Sequence, residues 1–288
     1  MKKTIITLTL LTSFASQAAF VSFISDSKYN IASDDPAAET GQIVGGGEYV
    51  SSEPSNGGSE PVAPSCEGPE LTKRDLQNLI MSGGDYSKAC VGAITDFSDL
   101  FRGDVNYDIT GWDVSNGKIF ASMFSGSSFN QDISGWDVSS GTDFSFMFSD
   151  TSNFNQDISG WDMSNAQTVM NMFAGARKFN QNISAWNMSN VTHFGNMFQG
   201  TLAFNQDISK WNVANGNNFS GMFQYSSVFD QDISGWDVSS GIYFNNMFKA
   251  ANSFNQDISG WDVSASSSWY DFNFASSLAS ENIPAKFR

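Results

Sequence analysis

Large aromatic residues recur along most of the chain at a nearly constant interval. The tryptophans of one column stand 25 residues apart five times and 24 residues apart once, and Met-Phe pairs follow the same rhythm. An interval this regular predicts tandem structural repeats that stack on one another. The column consists of Trp112, Trp136, Trp161, Trp186, Trp211, Trp236 and Trp261.

Within one repeat, the spacing of the apolar positions changes. Ile133, Trp136 and Val138 are spaced as in the core strand of leucine-rich repeats. The segment 144–148 then has apolar residues at i, i+3 and i+4, which predicts a short helix. Glycines placed for a helix end with positive φ follow in three repeats, at Gly126, Gly175 and Gly200. We therefore expect an α/β solenoid, a leucine-rich-repeat-like stack of about seven 25-residue coils, each with one strand and one short helix.

The segment before the repeats has the features of an N-terminal cap. Thr72 and Asp75 are spaced as in a capping box at the start of an amphipathic helix. Cys66 and Cys90 are the only cysteines, so one disulfide can form, which stabilises by about 3 kcal/mol on chain-entropy grounds. The last coil is incomplete. These features predict a helical, disulfide-stapled cap over residues 66–94, a repeat solenoid over 95–274 and a C-terminal tail or cap over 275–288.

Two segments precede the cap. Residues 1–19 begin with basic residues, continue with a short apolar run and end in small residues, which is typical of a signal peptide. The alternative, a membrane anchor, would need about 20 apolar residues. Residues 20–65 are rich in Ser, Gly, Pro and acidic residues and predict a flexible linker. We therefore expect an exported protein without a transmembrane segment, extracellular or at the cell surface, with the periplasm as the alternative.

The repeat motif is specific enough to indicate a family. FNQDISGWDVS, or a close variant, followed by a Met-Phe pair resembles the repeat of BspA-like leucine-rich-repeat bacterial surface proteins. The resemblance spans residues 91–274 and implies export and surface attachment or adhesion, without enzymatic activity. Departures such as Ala185 and Lys210, in place of the glycine before tryptophan, fall on positions expected to be exposed. The matching residues of one repeat are Phe154, Asn155, Gln156, Asp157, Ile158, Trp161, Asp162, Met172 and Phe173.

Composition narrows the possible functions. Acidic residues outnumber basic residues by 30 to 14, and a formal charge of −16 repels nucleic acids and anionic lipid surfaces. His193 is the only histidine, and Asp143, Thr168 and Asn218 occupy its position in other repeats. No Ser-His-Asp or Cys-His set is therefore available. Carboxylate pairs that recur in every coil are also a poor candidate for a glycosidase site, so we do not expect an enzyme.

The tryptophan column has two interpretations. It could form an exposed aromatic ladder that stacks on sugar rings, or it could belong to the core. Trp136 shares the repeat period of Ile133 and the inward parity of Val138. A full row of exposed indoles would also be an unusually large apolar patch for a soluble protein. The pattern favours the core.

The position after each tryptophan is acidic and is expected to point outward from the strand. Parallel strands about 4.8 Å apart would bring these carboxylates close together, where like charges repel. Either water and salt screen the repulsion, with two asparagines interrupting the charge, or this face binds a basic partner or calcium. The column consists of Asp113, Asp137, Asp162, Asn187, Asn212, Asp237 and Asp262.

A separate calcium candidate is incomplete. Asp104, Asn106 and Asp108 have the D-x-N-x-D spacing of a calcium loop, but Ile109 occupies the position that requires glycine. The loop also lacks the glutamate that completes such a site. We therefore expect no cofactor, with calcium as the one alternative.

The sequence as a whole favours a binding or adhesion module. In this interpretation a rigid acidic strand face meets a protein or extracellular-matrix partner at a cell surface. Two alternatives stay open: a structural envelope or spacer protein without a specific ligand, and a glycan-binding, lectin-like solenoid.

Overall fold

Helices are few in this computed structural model, which describes residues 66–101 and 103–288. The described part of the chain contains one α-helix, α1 (Lys73–Met81), and two 3₁₀ helices, Ser280–Asn282 and Ala285–Phe287. Among these residues, no helix combines the length and the apolar character that crossing a bilayer requires. The predicted signal peptide, residues 1–19, and the predicted linker, residues 20–65, lie outside the described residues.

Equivalent residues of successive coils are hydrogen bonded along the whole array. One residue in each coil forms a parallel β-bridge with its equivalent in the next coil. The bridges are flanked by bonds such as Phe144 N–H to the Thr168 carbonyl (3.1 Å) and Phe148 N–H to the Met172 carbonyl (2.9 Å). These bonds join each coil to its immediate neighbours. The bridge residues are Asp96, Ile119, Asp143, Thr168, His193, Asn218, Tyr243 and Ser268.

The backbone of a coil differs from the predicted strand and short helix. The bridge residue Asp143 stands directly before the Met-Phe segment, outside the predicted strand that ends at Val138. Segment 144–148 forms tight turns, because Phe146 has a φ of +58° and a right-handed helix cannot continue through that conformation. The Phe146 amide donates to the Met170 carbonyl of the next coil (2.8 Å) instead of to a carbonyl four residues back.

Two columns of residues hold a positive φ in nearly every coil. Asn, Asp and Gly predominate in the first column, because these residues tolerate the left-handed region best. In the second column, the positive φ predicted at Gly126, Gly175 and Gly200 is confirmed, although these glycines follow turns rather than helices. The first column consists of Asp99, Ser122, Phe146, Asn171, Asn196, Gly221, Asn246 and Asp271.

The aromatic columns form the core of the array. The tryptophans of the column expose 3–5% of their surface, which confirms their assignment to the core. The ring of Phe173 stacks 5.7 Å from that of Phe148, 5.9 Å from that of Phe198 and 3.9 Å from that of Phe179. Each such ring buries roughly 150–250 Å². Ring stacking between coils therefore supplies much of the apolar contact that holds the array together.

A hydrogen bond from each indole also connects neighbouring coils. Trp161 Nε1 donates to the Ile133 carbonyl of the preceding coil (3.2 Å), and the same bond recurs at Trp186, Trp211, Trp236 and Trp261. A buried indole N–H without a partner would cost about 1–3 kcal/mol. The bond therefore favours a single register of each coil on the one before it.

Residues 66–94 pack against the first coil. The predicted helix is confirmed as α1, with the capping box formed between Thr72 and Asp75. Its Leu76 side chain is fully buried in the shared core. The predicted disulfide between Cys66 and Cys90 is formed. In this way the first coil gains apolar contacts on the side where no further coil precedes it.

The C-terminal residues cover the last coil. Phe287 is buried, with its ring centroid 5.3 Å from that of Trp269 and 4.9 Å from that of Phe272. The Lys286 ammonium group bonds backbone carbonyls of the last coil. It donates, at 2.7 to 3.1 Å, to the carbonyls of Val263, Ser264 and Ser266.

Truncation of a stacked phenylalanine should be strongly destabilising. Phe198 is fully buried, with rings of three other phenylalanines at 4.1–5.9 Å. We expect Phe198→Ala to lower the free energy of unfolding by about 3–5 kcal/mol, measured by urea unfolding with tryptophan fluorescence. In the matched control Phe274→Ala, the ring is 61% exposed, and a change within about 0.5 kcal/mol is expected. Equal losses in the two variants would contradict the core assignment.

Candidate functional site

The predicted acidic column lies at the surface, but on turns rather than on a strand. All seven of its residues are exposed. Each side-chain oxygen accepts a hydrogen bond from the amide two residues later, at 2.8 Å between Asp162 and Ser164 and at 3.1 Å between Asn187 and Ser189. The same bond is present at Asp113, Asp137, Asn212, Asp237 and Asp262. These are Asx turns, so the local backbone fixes the direction of each carboxylate.

A second column of the same kind stands five residues earlier in each coil, and the sequence interpretation missed it. Asp157, for example, accepts the Ser159 amide at 2.9 Å. The available signal was the D-x-S spacing, which occurs twice in DISGWDVS. We call the two columns together the acidic strip. The second column consists of Asp108, Asp132, Asp157, Asn182, Asp207, Asp232 and Asp257, all exposed.

The turn bonds favour the charged form of the strip carboxyls. The Ser164 hydroxyl and then the Ser164 amide lower the pKa of Asp162 below its usual value of 3.8. The neighbouring charge of Asp132 acts in the opposite direction on Asp157, whose pKa is still lowered by its bonds to Ser159. The strip residues with a lowered pKa are Asp108, Asp132, Asp157, Asp162, Asp207, Asp232, Asp237, Asp257 and Asp262.

The Asn and Gln of the repeat motif join coils to one another. Asn155 Oδ1 accepts the Asn180 amide of the next coil at 2.9 Å. Gln181 Nε2 donates to the Asn155 carbonyl at 2.8 Å. Asp230 replaces this asparagine in one coil and still accepts the Asn255 amide, at 3.0 Å. These side chains are therefore engaged in holding the array together.

The three calcium candidates make separate bonds to the protein. Asp104 accepts the Ser128 hydroxyl at 2.6 Å, and Asp108 accepts the Thr110 amide at 2.9 Å. The amide of Asn106 donates to the Tyr86 hydroxyl at 3.0 Å. Within the described ranges, no three His, Cys, Asp or Glu side chains are grouped so that they could hold a metal ion.

The histidine lies in the column of bridge residues. His193 is exposed, and its backbone forms bridges to Thr168 and Asn218. Its Nδ1 lies 2.8 Å from the Thr192 hydroxyl. The position therefore serves pairing of the backbone, and its side chain differs between coils.

The stacked coils and their recurring bonds define a tandem-repeat protein. The chain matches the family described as "Mycoplasma protein of unknown function, DUF285" twice, over residues 77–186 and 169–285, and belongs to that family. The two matches together extend from within α1 to the last residues of the C-terminal cap. No curated protein and no solved structure matches the chain.

Two substitutions at one strip position separate the turn bond from the charge. Asp162→Asn should lower the free energy of unfolding less than Asp162→Ala does, because an amide oxygen accepts the same bond, as Asn187 does. Asp162→Ala should lower it by about 0.5–1 kcal/mol, because the Ser164 amide loses its partner. Urea unfolding measures both values. Equal effects of the two substitutions would show that the turn bond contributes nothing.

The lowered pKa values predict a loss of stability in acid. Each strip carboxyl with a folded-state pKa below its unfolded-state pKa contributes stability that is present above the unfolded-state pKa. That contribution is lost as the pH falls through the folded-state pKa. We expect the melting temperature to be nearly constant above about pH 5 and to fall below about pH 4. A variant with several strip aspartates changed to asparagine should show a shallower fall, and an identical pH profile would contradict the assignment.

Proposed function

We propose that this chain is an exported, non-catalytic binding module whose acidic strip meets a positively charged protein or extracellular-matrix partner at a cell surface. One observation carries the proposal. Aspartate occupies 11 of the 14 strip positions, and every strip residue is exposed and bonded to its own turn. The carboxylates therefore form a regular, fixed array of negative charge.

Fixed carboxylates are better suited to binding than mobile ones. Ordering a flexible side chain on binding costs about 0.5–1.5 kcal/mol. The Asx turns restrict the strip side chains before any partner arrives, so this cost is reduced. The formal charge of −16 on the whole chain adds an attractive field for a basic partner, which raises the rate of association.

The stack of coils provides the rigidity that such a surface needs. We interpret the array as a leucine-rich-repeat-like solenoid in which turns take the place of the predicted short helices. The parallel bridges between equivalent residues and the continuous ring stacks support this interpretation. A solenoid of this kind presents equivalent residues at a constant interval, so a partner with several basic groups contacts several coils at once.

The cellular location is the second part of the proposal. The sequence of residues 1–19 has the pattern of a secretory signal, and the repeat motif resembles that of BspA-like surface proteins. Both features support export to the cell surface, where the disulfide between Cys66 and Cys90 is stable. A spacer without a ligand is the alternative, but it gives no reason for a charged array that extends over every coil.

The proposal is tested with the full chain and a variant of the strip. In D132N/D137N/D157N/D162N, each asparagine keeps an oxygen that accepts the turn bond while the charge is removed. Binding to a panel of purified extracellular-matrix proteins should show at least one saturable partner. We expect the strip variant to bind that partner about tenfold more weakly, and native binding to weaken as salt is added.

The control carries the same change of charge outside the strip. D99N/D104N/D143N/D150N also removes four negative charges. We expect its affinity to stay within about twofold of the native value, with any loss coming from slower association at the lower net charge. Equal weakening in both variants would indicate net charge rather than the strip. Unchanged binding of the strip variant would exclude the strip, and the lack of any saturable partner in the panel would favour the spacer.

A further inference from the structure

Exposed aromatic side chains are concentrated in the last coils, on a different segment of the coil from the acidic strip. Tyr225 is 49% exposed, Tyr270 64% and Phe274 61%. The Tyr225 amide donates to the Lys249 carbonyl (2.8 Å), and the amide after Lys249 donates to the Phe274 carbonyl (2.9 Å). Tyr225, Lys249 and Phe274 therefore stand on three consecutive coils. We define the aromatic patch as Tyr225, Lys249, Tyr270, Asp271 and Phe274.

An ion pair of the patch lies beside the Phe274 ring. Lys249 Nζ is 2.8 Å from Asp271 Oδ2 and 5.4 Å from the centroid of the Phe274 ring. The bond to Asp271 raises the pKa of Lys249, with smaller contributions from Asp271, Tyr225 and Tyr270 as neighbouring groups. The patch thus combines ring faces with hydroxyl, ammonium and carboxylate groups. The charges of Lys249 and Asp271 cancel, so the patch has no net charge.

The fold does not require aromatic residues at these positions. The equivalents of Tyr270 in the other coils are Ala121, Ser145, Met170, Gly195, Ser220 and Asn245. The equivalents of Phe274 are Ser125, Ser149, Ala174, Gln199, Gln224 and Lys249. All of these coils stack with the same bonds, so the aromatic side chains are additions to the repeat rather than parts of it.

Tyr225 adopts a conformation that is unfavourable for its side chain. Its φ is +60°, at a position where three other coils have glycine and three have aspartate or alanine. A bulky residue in the left-handed region is uncommon and costs about 1–3 kcal/mol, and such strain is concentrated at functional sites. Tyr225 is therefore the one bulky, aromatic residue of a column otherwise occupied by glycine, aspartate and alanine.

Covering the end of the array does not account for the patch. Phe287 already fills that role, packed against Trp269 and Phe272. Tyr270 and Phe274 leave most of their surface in water. Their rings are therefore available to a ligand.

We propose that the aromatic patch binds an uncharged polysaccharide. The C–H faces of sugar rings stack on the electron-rich faces of aromatic rings, and the ion pair and hydroxyls offer donors and acceptors for sugar hydroxyls. The local charge is neutral and the whole chain is acidic, so a polyanionic glycan is disfavoured.

The spacing of the patch favours a chain of sugars over a protein surface. Successive coils of the array lie about one sugar residue apart, as shown by the 5.7 Å between the core rings of Phe148 and Phe173. Tyr225 and Phe274, two coils apart, would thus contact two residues of one extended chain. A protein-binding hot spot would instead be expected to join its rings into one apolar centre without an ion pair between them.

Affinity electrophoresis of the full chain tests this proposal. The native protein is run in gels that contain soluble hydroxyethyl cellulose, laminarin, mannan or glycogen, and we expect retardation by at least one of them. Tyr270→Ala with Phe274→Ala should weaken that binding about tenfold or more. Tyr270→Phe with Phe274→Tyr keeps both rings and should retain binding. Binding of the native protein should also perturb the ultraviolet absorption of tyrosine.

Two controls separate this proposal from the acidic strip and from general apolar exposure. Leu202→Ala removes a side chain that is 46% exposed outside the patch and should leave retardation unchanged. D132N/D137N/D157N/D162N should also bind the polysaccharide normally, so failure of one proposal leaves the other intact. Lack of retardation in all four gels would overturn the proposal. An equal loss in the ring-retaining and alanine variants, with melting temperatures unchanged, would overturn it as well.

Discussion

Hydrogen bonding between equivalent residues of neighbouring coils is the interaction on which this structure depends. The bonds within a single coil are short-range turn bonds, and the described repeats contain no α-helix or extended sheet that would satisfy the rest of its backbone. Alternate amides of the Met-Phe turn, the Asn and Gln side chains and the indole N–H find partners about 25 residues away. Folding is therefore cooperative between neighbours, because a coil is satisfied only when the next one is in place.

This arrangement divides the polar residues into two groups. The Asn and Gln that recur in every coil are occupied by bonds between coils, so their constancy reflects the architecture. The strip aspartates have a dual role, since one oxygen closes a turn while the carboxylate still faces water. Residues that differ between coils, such as Tyr225 and Tyr270, contribute little to stacking. Function is expected at the strip and at such positions.

The sequence was sufficient for the features that depend on period. It correctly indicated the tryptophan core, the helix α1 after its capping box, the pairing of Cys66 with Cys90 and the exposure of the acidic column. It did not reveal the bridge at Asp143 or the turn at Phe146, because an i, i+3, i+4 spacing fits a tight turn as well as a helix. The hydrogen bonds that distinguish this turn from a helix run to the next coil, about 25 residues away. A pattern of residues within one segment does not show them. The aromatic patch was missed for a related reason, because attention to the repeat hides residues that depart from it.

The C-terminal cap imitates a coil instead of ending the array with a separate domain. The Ala279 amide takes the place of a repeat amide on Asn255 Oδ1, at 2.8 Å, and Asn282 donates to the Asn255 carbonyl as a repeat glutamine would. Lys286 contacts backbone carbonyls, which every coil possesses. Phe287 packs on Trp269 and Phe272 of the incomplete last coil, so the cap and that coil close the array as one unit on the shared features of the coil before it. Duplication or loss of whole units by recombination in the gene would therefore yield proteins of other lengths that still close correctly, with the reach of the binding surface adjusted in steps of one unit.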